Sequence, residues 1–79
     1  MQMDPNDRNA FIQNMVEGLA AKLKDDPNNL DGWLRLARSY GVLGEWNKSI
    51  TAYQKALTIS PGDSVIQSML NQARQNAMR

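Results

Sequence analysis

An all-α, four-helix array is the fold class that this 79-residue sequence predicts. Three observations carry the expectation. Apolar residues recur at helical spacing in four separate stretches, and no stretch reads as a strand. Between them fall Asp, Asn, Gly and Pro, at the places where helices start and stop. The chain also repeats itself: Pro27 and Pro61 lie one period of about 34 residues apart, and the same shift relates Leu23 to Leu57, Asn29 to Asp63 and Leu36 to Leu70.

The first helix is expected over residues 5–25, with Asp4 as N-cap and Pro5 at the first helical position. Phe11, Ile12, Met15, Val16, Leu19, Ala20 and Leu23 form its apolar stripe. Gly18 interrupts that stripe at a cost of about 1 kcal/mol relative to Ala. Asp26 precedes Pro27, which ends the helix. Asn29 can cap the second helix, whose apolar positions are Leu30, Trp33, Leu34, Leu36, Ala37, Tyr40 and Leu43, and Gly44 suits the left-handed position after its end. The third runs from about Glu45 to Ile59, with Trp46, Ile50, Tyr53, Ala56 and Leu57 inward, and Pro61-Gly62 stops it. Asp63 or Ser64 can cap the fourth, whose stripe is Val65, Ile66, Met69, Leu70, Ala73 and Ala77.

Trp33, Leu36, Ala37, Tyr40, Ser49, Tyr53, Ala56 and Pro61 then fall into one pattern. With Gly44 and Trp46 they resemble a tetratricopeptide repeat (TPR), a helix–turn–helix unit. Ala37 stands for the usual Gly, Ser49 for Ala and Tyr53 for Phe, each within its size class. The expected organisation is a single TPR domain over residues 1–79, a right-handed helical array. Residues 5–25 belong to a preceding half repeat, 30–63 form the complete repeat and 64–78 a capping helix. Gln67 stands where Trp33 does and Arg74 where Tyr40 does, polar replacements that suit a terminal helix. Trp46 and Tyr53 should be largely buried between the second and third helices, with Trp33 beside the first. Ala37 and Ala56 let backbones approach.

Composition excludes several function classes. Nine Lys and Arg against eight Asp and Glu leave a net charge of +1, with no basic excess for nucleic acid or an anionic membrane. There is no Cys and no His, which removes thiolate chemistry and the commonest general base and metal ligand. Ser39 and Ser49 have no His to activate them. Asp25-Asp26 reads as a solvated helix end, and Asp31 near Glu45 has no identifiable partner base. No apolar run approaches the roughly 18 residues of a membrane span, and no signal peptide is visible. Neither an enzyme nor a cofactor is expected.

The stretch from Met15 to Gly44 carries a narrower resemblance. Met15, Val16, Leu19, Ala20 and Leu23, then Pro27, then Gly32, Trp33, Leu36, Arg38, Tyr40, Leu43 and Gly44 resemble the TPR domain of cytochrome c biogenesis proteins of the CcmI (CycH) type. TPR subunits of haem lyases for nitrite reductase are similar. The resemblance covers about residues 10–63. It implies a periplasmic module of a membrane-anchored protein that captures the C-terminal helix of apocytochrome c and presents the chain to haem-lyase components. Family members carry membrane-spanning helices and often several repeats, so the sequence is either a piece of such a protein or a member with a short array.

Helix geometry sketches a peptide-binding groove from Asp31, Leu34, Arg35, Arg38 and Val42 on the second helix and Val65, Ser68, Gln72 and Asn76 on the fourth. Its ligand would be a protein or peptide, an amphipathic helix whose carboxylate meets Arg35 or Arg38. The alternative is a generic TPR scaffold or adaptor in the cytoplasm, or a self-association module. Leu34 and Arg38 stand where an adaptor for chaperone tails would carry Lys and Asn, which weighs against that clamp. Met1, Met3, Phe11, Ile12, Met69 and Met78 are candidate exposed apolar residues for a weak homodimer.

Overall fold

A computed structural model describes the protein from Pro5, and its side chains from Arg8. The Asp4 cap and the methionines Met1 and Met3 lie outside the described residues. Among the described residues four helices follow in order: α1 (Pro5–Asp25), α2 (Leu30–Val42), α3 (Trp46–Ile59) and α4 (Ser64–Ala77). There is no strand among the described residues. Each helix packs on the next, α2 against α3 most extensively and α1 against α2 least. The result is an all-α, TPR-like array. Its radius of gyration, 13.0 Å, exceeds the roughly 12 Å of a compact chain this long, as serial stacking requires.

Local chemistry sets the boundaries. The Asn29 carboxamide oxygen accepts from the Gly32 N–H at 3.0 Å and starts α2. Its end is a Schellman turn: the Glu45 N–H donates to the Tyr40 carbonyl at 2.9 Å and the Gly44 N–H to the Gly41 carbonyl at 3.0 Å. That turn needs Gly44 at φ +75°, in the left-handed region. Of the two cap candidates for α4 the structure selects Asp63, whose carboxylate accepts from the Val65 and Ile66 N–H groups at 3.0 and 3.2 Å. The start of α3 is one residue later than Glu45, whose side chain makes no capping bond.

The core joins all four helices: Val16 and Leu23 of α1, Leu36 and Ala37 of α2, Ala52, Tyr53 and Ala56 of α3, and Ile66, Leu70 and Ala73 of α4. Ala37 and Ala56 are wholly inaccessible, so helices meet there almost backbone to backbone. The buried Ser49 hydroxyl donates to the Ala37 carbonyl at 2.7 Å, which satisfies it across the α2–α3 contact.

Three expectations are corrected. Trp46 is half-buried rather than largely buried. It opens α3, and its ring lies against Gly41 of α2. The α1 stripe is only partly covered, with Phe11 62% and Met15 46% exposed, because α2 is the principal neighbour of α1. Val65 and Ala77 are exposed, because α4 meets the core through Ile66, Leu70 and Ala73. Tyr53 is buried as expected. Trp33 is half-buried at the end of α1, and its indole N–H donates to the Pro27 carbonyl at 2.8 Å, tying the α1–α2 turn to α2.

Candidate functional site: a groove between α2 and α4

A groove of about 760 Å³ runs between α2 and α4 over α3. One wall is Arg38, Gly41 and Val42, a single face of α2 at i, i+3 and i+4. The other repeats every four residues along α4, through Ser64, Ser68, Gln72 and Asn76 with Val65, Met69 and Ala73 beside them. Trp46, Ser49 and Tyr53 of α3 form the floor. Gly41 permits this arrangement, because a Cβ there would stand 3.0 Å from Trp46 Cζ3.

The groove is largely apolar, with polar groups at its rim. Val42 and Val65 face each other's helices 68% and 61% exposed, so an apolar ligand would cover surface now in water. Among the described residues no carboxylate lines it, and Arg38 is the cation that does. The Arg38 Nε donates to the Leu34 carbonyl at 3.4 Å, a long bond that leaves the outer guanidinium nitrogens for a ligand. Burial raises the Tyr53 phenol above its ordinary pKa, against the opposing pull of the Arg38 guanidinium. Such a surface holds an apolar side chain and one acidic group.

The sequence-derived residues divide. Arg38, Val42, Val65, Ser68, Gln72 and Asn76 line the groove. Leu34 is half-buried against the core. Asp31 and Arg35 pair with each other at 3.0 Å on the surface, and Arg35 lines a different cleft, between α1 and α2. Sequence reasoning placed Trp46 and Tyr53 in the core alone, gave Met69 to the α4 stripe and to a self-association surface, where it is in fact half-buried beside the groove, and passed over Gly41. The signal for Trp46 was its place immediately after the Gly44 turn, where a side chain has a helix on one side only.

No family model matches the chain. The chain is similar to cytochrome c-type biogenesis proteins. It is 45% identical over 60 residues, 76% of its length, to CycH of Rhizobium meliloti. It is 43% identical over 54 residues, 68% of its length, to CycH of Bradyrhizobium diazoefficiens. The matched stretches are 16% and 15% of those proteins, so the chain corresponds to a small part of each. It is also 38% identical over 48 residues, 61% of its length, to 12% of the formate-dependent nitrite reductase complex bifunctional subunit NrfFG of Haemophilus influenzae. Among the described residues no helix is long and apolar enough to cross a membrane.

Proposed function

We propose that this chain is a TPR-type protein-interaction module of bacterial cytochrome c maturation. Its α2–α4 groove binds an amphipathic helix, the C-terminal helix of apocytochrome c, and holds that chain for haem ligation by haem-lyase components. The observation that carries the reading is the similarity to two CycH proteins over most of the chain. The groove supports it: an apolar strip at Val42, Trp46 and Val65 suits the apolar face of a helix, and Arg38 suits its acidic edge or terminal carboxylate. The module works in the periplasm as a soluble domain of a membrane-anchored protein. It binds and presents; catalysis and haem belong to its partners.

The test is a calorimetric titration with a peptide of the C-terminal helix of apocytochrome c. A short groove should bind at micromolar Kd or weaker, roughly 8 kcal/mol at most. Arg38→Glu should weaken binding and leave the melting temperature unchanged, because the side chain is exposed. No heat at high protein concentration would remove apocytochrome as the ligand. A self-association module is the second reading, favoured by Phe11 and Met15 lying exposed on α1. Sedimentation that stays monomeric as concentration rises excludes it.

A further inference from the structure

We infer that the cleft between α1 and α2 is a second docking subsite, which takes an acidic, amphipathic polypeptide segment. The cleft encloses about 490 Å³. Met15, Gly18 and Leu19 of α1 form the floor on one side, and Arg35, Arg38 and Ser39 of α2 line the other, with Lys22 at the rim. Three observations choose the occupant. The first is charge: among the described residues Lys22, Arg35 and Arg38 line the cleft and no carboxylate does. Asp31 meets Arg35 at 3.0 Å, but both side chains are 69% exposed, so a pair this wet neutralises little. Among the described residues Lys22 and Arg38 pair with no carboxylate. The second is the floor. Met15 is 46% exposed, and beside Gly18 there is open space, since a Cβ there would meet nothing within 4 Å. Apolar side chains with acidic neighbours fit that floor better than a bare phosphate does.

The third observation is Arg38 itself, which lines both this cleft and the α2–α4 groove. It stands on the ridge between them. The inference deepens the groove reading: one ligand long enough to cross the ridge would lay its apolar face in the groove and its acidic end in the cleft. The effective concentration of the second contact would then be set by the first.

An amide chemical-shift titration separates the two sites. The probe is a synthetic amphipathic helix of Leu, Ala and Glu, with a counterpart carrying Lys in place of every Glu. The acidic helix should shift the amides of Met15, Gly18 and Lys22, saturably and less at high salt. Lys22→Gln with Arg35→Gln, both at exposed positions, should weaken that response about tenfold with the helical content unchanged. Cleft amides that stay silent, that respond equally to the lysine helix, or that respond unaltered in the double variant overturn the inference. Cleft amides that answer anionic phospholipid vesicles but not the acidic helix overturn it too. Groove amides of Val65, Ser68 and Gln72 that shift while the cleft is silent would leave the groove reading standing without this one. Shifts confined to the cleft would do the reverse.

Discussion

Two glycines in helices show how much a single position depends on its neighbours. Gly18, which interrupts the α1 stripe, and Gly32, which carries part of the CycH-type resemblance, both lie inside helices. A Cβ on Gly18 would touch nothing within 4 Å, whereas one on Gly32 would stand 2.8 Å from Cδ2 of Leu23, itself 1% exposed. Gly18→Ala should therefore raise stability by up to about 1 kcal/mol, the helix-propensity difference. Gly32→Ala should lower it by forcing α1 from α2. Urea denaturation of the two variants reads both, and changes of the same sign would refute the packing described. Tyr53 makes a second prediction at this scale. Its folded-state pKa is raised by burial above the ordinary 10.0. Below that value the phenol is protonated in both states and its contribution is intact. Above it the unfolded chain releases the proton first, so stability falls as pH rises towards the folded pKa. Tyr53→Phe should flatten that alkaline loss relative to wild type; identical alkaline profiles would show that the phenol is not held in an apolar site.

Helix ends are where sequence and structure agree most closely, because the chemistry that ends a helix is local. Pro27 and Pro61, the caps Asn29 and Asp63, and Gly44 at φ +75° lie within a few residues of the boundaries they set. The caps should differ in weight. Asp63 bonds two backbone N–H groups, while Glu45 bonds none and meets only an exposed Lys48 at 3.4 Å. Asp63→Ala should cost about 1 kcal/mol and Glu45→Ala a few tenths at most. Thermal melts at neutral pH compare them, and equal losses would reject the asymmetry. Less of α1 was legible. Its apolar stripe predicts burial along the whole length, but a helix is buried only where a neighbour lies on it, and Phe11 and Met15 stay exposed to solvent.

At the scale of the molecule, the groove is a product of stacking. Val42 and Val65 are distant in sequence and belong to helices that each pack on α3. Because both are largely exposed, Val42→Glu and Val65→Glu should shift the melting temperature by no more than about 2–4 °C, since surface changes are usually worth under about 0.5 kcal/mol. Each should weaken an amphipathic peptide about tenfold, a loss of roughly 1.4 kcal/mol. Peptide affinity unchanged in both variants would move the binding surface elsewhere. Trp46→Ala reports on both roles. Half-buried on the groove floor, Trp46 should cost less than the 3–5 kcal/mol or so of a fully buried aromatic, and its loss should also weaken the peptide.

The number of helices, their order, their ends and the all-α class follow from the sequence by itself, since periodicity, caps and turn residues act over one or two turns of chain. Which residues meet across the array was decided by the tertiary structure. An apolar stripe spans a wide arc of the helix, and the residues at its margins go to core or surface according to how the next helix crosses. Trp46 and Val65 sit at such margins, and the crossing turned them to the groove. Arg38 sits on a ridge for the same reason: α1 and α4 lie on either side of α2, and only their placement makes one guanidinium the neighbour of two clefts.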